Sequence, residues 1–326
     1  MLKVAMLSKW HVHAGGYANT IKNSGVAEIT CVWDDDIARG EAWAKELGCD
    51  FVADLDALLA RDDVEAVACD TPTTMHHDVL IKAAKAGKHI FTEKALCPTV
   101  AECEEVKAAV VASGKTFVIS YPMRGTGIVQ FAKRMIEAGE FGKISLIRIR
   151  NGHNGVSGGW LPEYWFEKKD AAGGAMMDLG CHPMYTLAYL GGKPKRVTGM
   201  FNAPFGSKVD ENALATVEFE NGALGIGETS FITYATKEMI EIYGSDATLL
   251  AVGGDVQYIS KNSEKYVRGW IHPTLPENHP IPLVQWLHAC AEGKPSPEGL
   301  GIDDAIALTE LLEKSYIADE TNKYVL

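Results

Sequence analysis

No apolar run in the 326-residue sequence reaches the roughly 18 residues that a membrane-crossing helix needs, and the first residues read as a strand without a basic leader or cleavage site. The expected compartment is the cytoplasm. Positive charge is scarce: 31 Lys and Arg against 43 Asp and Glu leave a formal net charge of -12, and no basic stripe interrupts it. That balance argues against a nucleic-acid or anionic-membrane partner. The seven cysteines, Cys31, Cys49, Cys69, Cys97, Cys103, Cys181 and Cys290, form no CxxC pair and no framework spacing, which suits reduced thiols. Neither a Gly-x-Ser-x-Gly turn nor a P-loop is present, so the commonest hydrolase and nucleotidase readings fall away. There is no internal repeat and no low-complexity segment.

What remains is an ordinary globular composition, 47% hydrophobic and 23% charged, in a chain long enough for two domains. The first part alternates strand and helix patterns. Strand-like runs at Leu2 to Leu7, Ala27 to Trp33, Val64 to Cys69, His89 to Thr92 and Thr116 to Ser120 are separated by helical spacing near Tyr17 to Lys22, Ile37 to Leu47, Met75 to Ala86 and from Thr99 to about Ala112. Thr99 and Glu102 form a capping box, and Gly48, Gly87 and Gly114 sit where helices should stop. This predicts an α/β domain over 1–121, a doubly wound parallel sheet of the Rossmann type.

Beyond Tyr121 strand character dominates, at Ile144 to Arg150, Arg196 to Phe201, Ala213 to Phe219, Lys237 to Tyr243 and Thr248 to Val252. Asn221-Gly222 marks a hairpin. The stretches Pro282 to Ala291 and Asp303 to Ala318 read as closing helices. The second domain, 122–326, is therefore expected to be α+β, an open and mainly antiparallel sheet with helices on one face. An uncovered sheet face predicts a homo-oligomer.

In a doubly wound sheet the ligand sits at the carboxyl ends of the strands. The first such loop, Ser8-Lys9-Trp10-His11-Val12-His13, has no glycine at positions 8, 10 or 13, where a dinucleotide fingerprint would carry them, and Gly15 and Gly16 come one turn late. Helix-terminal backbone donors together with Ser8 still suit a pyrophosphate. Asp34 ends the second strand, where a carboxylate accepts bonds from ribose hydroxyls, and the run Asp34-Asp35-Asp36 repels an added 2'-phosphate. NAD is favoured over NADP on that ground, although the same three acids also suit a plain helix cap. His11 and His13, like His76 and His77, lack a third ligand at a recognisable spacing, so no metal is expected.

The segment Asp70-Thr71-Pro72-Thr73-Thr74-Met75-His76, followed by Ala86-Gly87-Lys88-His89-Ile90-Phe91-Thr92-Glu93-Lys94, resembles the Gfo/Idh/MocA oxidoreductase family. There a TP-x-x-x-H turn precedes a helix and A-G-K-H-V leads into Glu-Lys-Pro. Gly173-Gly174-Ala175-Met176-Met177-Asp178-Leu179-Gly180-Cys181-His182 is similar to the family's GG-x-x-x-D-x-G-x-H signature. The chain departs from the pattern in its first loop, at Ala95 where proline is usual, and at Tyr185 where many members carry a second aspartate. The resemblance implies hydride transfer between a nicotinamide and a hydroxyl-bearing carbon of a sugar, glycoside or cyclic polyol. It brings Ser8, Trp10, His11, Asp34, Thr71, Pro72, His76, Glu93 and Lys94 forward as cofactor-side residues.

Oxidising an alcohol needs a base for the hydroxyl proton and a cation for the developing alkoxide. His182 suits the first role and Lys94 the second. Asp178, four residues before His182, would share its face on a helix and orient the imidazole or bind a substrate hydroxyl. A surface Glu93-Lys94 pair and a structural Asp178-His182 contact are the plainer alternatives. Trp160 to Trp165, with His153 and Asn154 upstream, offers aromatic faces for a sugar or, equally, for packing. Tyr121, Arg124 and Tyr185 complete the candidate substrate contacts. Two other readings stay open: a glycosidase of the same family that oxidises transiently and eliminates, and a silent sugar or dinucleotide sensor.

Overall fold

The computed structural model describes residues 1–262 and 269–321; the last five residues of the expected second domain lie outside the described residues. The chain divides into two compact units, Met1–Tyr121 with Pro280–Thr309, and Pro122–His279 with the residues from Glu310 on. Pro280–Thr309 thus groups with the first unit rather than with the second domain expected from sequence. Thr116 Oγ1 donates to the Lys294 carbonyl (3.0 Å) and the Ile119 N–H to the Leu300 carbonyl (3.0 Å).

The first unit runs β1 (Leu2–Leu7), α1 (Ala14–Asn23), β2 (Ala27–Trp33), α2 (Ile37–Leu47), β3 (Asp50–Phe51), α3 (Leu55–Leu59), β4 (Ala66–Cys69), α4 (His76–Lys85), β5 (His89–Thr92), α5 (Val100–Ser113) and β6 (Phe117–Ile119). The sheet order is β3-β2-β1-β4-β5-β6 with every pairing parallel. Such a sheet is covered on both faces, which is why β4 is buried at each residue and reads as a continuous apolar run. Sequence also sets the helix ends. The Thr99 hydroxyl accepts from Glu102 N–H (3.3 Å) while the Glu102 carboxylate accepts from Thr99 N–H (3.1 Å), closing the expected capping box. Gly48 and Gly114 stop α2 and α5 at φ of 74° and 64°.

The second unit contains α6 (Gly127–Glu137), β7 (Ile144–Arg150), α7 (Lys168–Ala171), α8 (Cys181–Gly191), β8 (Pro194–Asn202), β9 (Asn212–Phe219), β10 (Leu224–Ser230), β11 (Met239–Gly244), β12 (Ala247–Val252) and β13 (Asp255–Ser260). After α9 (Pro282–Ala291), α10 runs over Ile302–Thr321. The seven strands are ordered β13-β12-β11-β7-β10-β9-β8, antiparallel except for the parallel β7–β10 pair. At the β9–β10 hairpin only Gly222 takes a positive φ (88°), while Asn221 uses its side-chain oxygen to accept from Ala223 N–H (3.0 Å). α8 lies close against β10 because Gly227 leaves room: a Cβ there would stand 2.7 Å from Met184 Sδ. The opposite face carries cross-strand ion pairs, Arg148 with Glu228 and Arg196 with Glu218, beside half-exposed Leu214 and Leu224. Among the described residues no helix is long and apolar enough to cross a membrane.

Candidate active site

In the first unit the chain leaves β1 at Leu7 and turns sharply. Ser8 has φ of 70°, so it holds the left-handed backbone that glycine takes most cheaply. The residue is fully buried; its hydroxyl donates to Asp35 Oδ1 (2.9 Å) and accepts from Trp10 N–H (3.2 Å). Trp10 is packed inward at 5% exposure.

Asp34 has partners other than the ribose hydroxyls expected of it. It is 2% exposed, and its oxygens accept from Lys9 N–H (2.8 Å), Asp36 N–H (2.9 Å), Arg39 Nε (3.0 Å to each oxygen) and Arg39 Nη2 (2.5 Å). Asp36 caps α2, accepting from Arg39 N–H, and this places Arg39 in the first turn facing back onto Asp34. Burial alone would raise the Asp34 carboxyl; the bonds from Arg39 and the two backbone donors outweigh it and hold it low. Asp35, whose side chain is 28% exposed, and Asp36 are the acids of this turn that still meet solvent.

The residues at the start of α1 fit an anionic group. The first N–H groups of any helix lack intrahelical acceptors, α1 has no acid in its first turn, and a Cβ at Gly15 or Gly16 would meet nothing within 4 Å.

At the end of β5, Glu93 is 1% exposed and heavily bonded. One oxygen pairs with His13 Nδ1 (2.8 Å) and accepts from the Tyr17 hydroxyl; the other accepts from Lys94 N–H (3.0 Å). Tyr17 also meets Ser120 Oγ (2.8 Å). Burial would push Glu93 up, but His11, His13 and Lys94 hold it well below the usual carboxylate range. Asp70, fully buried at the end of β4, is pushed well above that range by burial and by the charge of Glu93. His76, also buried, reaches the carbonyls of Ala95 (2.9 Å) and Leu96 (3.0 Å) with Nδ1 and that of Thr71 (3.1 Å) with Nε2. It therefore ties the Thr71-Pro72 turn to the chain immediately after Lys94, which is 4% exposed. The Lys94–Ala95 peptide is cis.

In the second unit the glycine-rich segment before α8 is held by two residues distant in sequence. Asp210 accepts from Gly174 N–H (2.9 Å), Met176 N–H (2.7 Å) and the Tyr316 hydroxyl (2.7 Å). The Tyr316 oxygen in turn accepts from Met177 N–H (3.2 Å). Gly174 is required here because a Cβ would collide with the Asp210 backbone.

The helix expected to carry both Asp178 and His182 starts after Asp178. α8 begins only at Cys181, since Pro183 has no N–H to give and is tolerated only in a first turn. Asp178 lies in the preceding turns, its N–H donating to the Gly174 carbonyl (3.0 Å) and its Oδ2 accepting from Trp165 Nε1 (3.2 Å). His182, half-buried, has its Nδ1 2.9 Å from the Tyr185 hydroxyl, whose oxygen accepts from Met123 N–H (3.0 Å). Tyr185 thus orients the imidazole from one helical turn away.

The remaining candidates separate by burial. Trp165 is 2% exposed and Trp160 54%, the latter donating to Asn154 Oδ1 (3.2 Å) beside the His153 ring. His153 stacks on Phe231 with ring centres 5.1 Å apart. Arg124 lies over the Tyr189 ring (3.9 Å). Tyr121 belongs to the core of the first unit, 1% exposed, with its hydroxyl on the Asp304 carbonyl (3.4 Å).

Two family models match in succession. The oxidoreductase family model described as an NAD-binding Rossmann fold covers residues 11–121, and that of the GFO/IDH/MocA C-terminal domain covers 129–250. The chain belongs to the Gfo/Idh/MocA family of oxidoreductases. It is 30% identical over 239 residues to scyllo-inositol 2-dehydrogenase (NAD(+)) of Bacillus subtilis, covering 71% of this chain and 68% of that one. With 2,7-anhydro-N-acetylneuraminate hydratase of Escherichia coli it shares 31% identity over 204 residues, 61% of this chain; the match spans about half of that relative, 54% of its length. The fold matches levoglucosan dehydrogenase in complex with NADH and levoglucosan at a TM-score of 0.85 and 20% identity, over 99% of this chain and 98% of that one.

Sequence reasoning singled out Glu93, Lys94, His76, Asp178, His182 and Tyr185 but missed Tyr17, Asp70, Asp210 and Tyr316. Asp70 stood inside the quoted TP-x-x-x-H segment and could have been found there. Asp210 and Tyr316 stand in no motif, and only the tertiary structure brings them to the glycine pair.

Proposed function

We propose that this oxidoreductase is an NAD-dependent dehydrogenase acting on a CH–OH group of a sugar or cyclic polyol. The observation that carries the reading is the oriented imidazole of His182, at the end of the family signature segment and in the first turn of α8, bonded through Nδ1 to Tyr185. With Nδ1–H donating to the Tyr185 oxygen, Nε2 keeps its lone pair and takes the substrate's hydroxyl proton. Lys94 steadies the developing alkoxide. Asp178, fixed by Trp165, accepts a bond from a neighbouring substrate hydroxyl, and the exposed face of Trp160, with His153 and Arg124, contributes to sugar recognition. The first turn of α1 holds the dinucleotide's phosphates, and Asp35 takes the ribose contact that Asp34 cannot offer. When bound, the nicotinamide supplies the hydride acceptor. The half-exposed apolar residues of the open sheet support a homo-oligomer.

A second reading has a specific motive. The hydratase relatives carry names that denote a net addition of water, a redox-neutral outcome. The same residues would then serve a transient oxidation followed by elimination. Incubation with NAD and a panel of sugars, anhydro-sugars and polyols decides the matter: NADH accumulating in step with oxidised product supports the dehydrogenase. Product formed with catalytic NAD and no accumulated NADH supports the redox-neutral route. NAD binding without any turnover across the panel would favour a sensor.

A further inference from the structure

We propose that His11, His13 and Glu93 form a site for a divalent ion of the zinc class. The ligand atoms of these three residues all lie within 4.8 Å of one another; Glu93 Oε1 is 2.8 Å from His13 Nδ1 and 3.7 Å from His11 Nδ1. A tetrahedral zinc ion with bonds of about 2.0 to 2.1 Å holds its ligand atoms about 3.3 Å apart, so changes of at most about 1.5 Å in these separations close the set. Two imidazoles and one carboxylate are the donor mixture that borderline transition metals prefer.

A second, independent observation points the same way. Asp70 is fully buried, and neither of its carboxylate oxygens has a hydrogen-bond partner among the described residues. Asp70 follows β4 and Glu93 follows β5, and these strands pair in parallel, so the two buried carboxyl groups share one neighbourhood. An ion held by the Glu93 carboxylate, or the water on it, gives the unpartnered Asp70 oxygens a partner, whereas a bond between His13 and Glu93 alone leaves them unaccounted for. The surroundings are those of a built site. Glu93 is aligned by Lys94 N–H and by the Tyr17 hydroxyl, and the His11 N–H donates to the Asp70 carbonyl (3.1 Å), fastening the histidine loop to the end of β4. The His13 side chain is 47% exposed and gives an entry path from solvent. The ion would cross-link the β1–α1 loop to the end of β5, leaving one coordination position for water.

The test uses the full chain, stripped by dialysis against a chelator and titrated with Zn2+ by calorimetry and with Co2+ by visible absorption. One equivalent of Zn2+ should bind, the Co2+ adduct should show the bands of a low-symmetry site, and Zn2+ should raise the melting temperature. Because changing a partner that merely orients a ligand already costs about 10- to 100-fold in affinity, His11→Ala, His13→Ala and Glu93→Gln should each weaken binding on the order of a hundredfold or more. His77→Ala, which alters an exposed histidine paired with Asp78 and Glu105, should bind as the parent does. His13 is half-exposed and makes no side-chain cap bond to α1, and without it Glu93 still accepts from the Tyr17 hydroxyl and Lys94 N–H; its alanine variant, with folding checked by circular dichroism, is therefore the decisive one if Glu93→Gln does not fold. A parent that takes up no stoichiometric metal, or a His13→Ala variant with parental affinity, overturns the site.

Discussion

Replacing Asp34 by alanine separates two roles for the acid at the end of β2. If the carboxylate served only to hold ribose, its loss would weaken cofactor binding and leave the free protein as stable as before. The structure makes it a buried counter-charge: Arg39 donates to it through Nε and Nη2, and Lys9 and Asp36 spend their backbone N–H groups on it. Removing one partner of a fully buried ion pair costs about 3 to 5 kcal/mol, because the other charge and the freed donors remain. The Arg39 side chain keeps 26% of its exposure, so solvent relieves part of this and the lower end, about 3 kcal/mol, applies. For a unit of this size each kcal/mol shifts the midpoint by about 2 to 4 °C, which gives a fall of about 6 to 12 °C in thermal unfolding of the ligand-free protein. Arg39→Ala should fall comparably, and the double variant should lose less than the sum of the two. An Asp34→Ala protein that melts with the parent while its affinity for NAD collapses would refute the reasoning and restore the ribose role.

Lys94→Ala and His182→Ala should each lower turnover on the order of a hundredfold with cofactor affinity and fold retained, and Asp178→Asn should cost less; near-parental turnover in either alanine variant removes that residue from the chemistry. Trp160→Ala should raise KM for the sugar while leaving the melting temperature in place, whereas Trp165→Ala should destabilise by about 3 to 5 kcal/mol, as the loss of a large buried side chain does; equal melting temperatures would show that burial is not what distinguishes them. Gly174→Ala drives a Cβ into the Asp210 backbone and should lower both stability and turnover, while Gly15→Ala, which meets open space, should leave the melting temperature near parental.

The first unit was legible because its signals are local. Burial on both faces makes β4 a continuous apolar run, and β2, α2 and β5 begin and end where strand pattern, cap and glycine place them. The strands β7, β9, β11 and β12 and the hairpin at Asn221-Gly222 were equally readable. The second unit also hid elements. α6 opens on Gly127-Ile128-Val129, residues of low helix propensity, and its helical period is carried by a single buried stripe through Val129, Phe131 and Ala132. β13 is reached only through the tight Gly253-Gly254 turn and follows β12 so closely that its pattern merges with it.

At the site, the sequence indicated which residues matter more readily than which partners they take. The i,i+4 spacing of Asp178 and His182 suggested one helix, yet Pro183 sets the start of α8 at Cys181, and the spacing gave no sign of the Tyr185 hydroxyl that meets the imidazole. The same limit explains Asp34, whose partner Arg39 is five residues on and becomes a neighbour only once Asp36 caps the helix between them. It explains His11 and His13 as well. A His-x-His pair is two ligands at most, and the third group, Glu93, is 80 residues from His13 along the chain. Parallel pairing of β1 with β4 and of β4 with β5 brings the ends of these strands side by side, so the loop after β1, Asp70 after β4 and Glu93 after β5 converge. A ligand set assembled by sheet order leaves no spacing to find in sequence, which is why the histidines read as lacking a partner there and gain one in the fold.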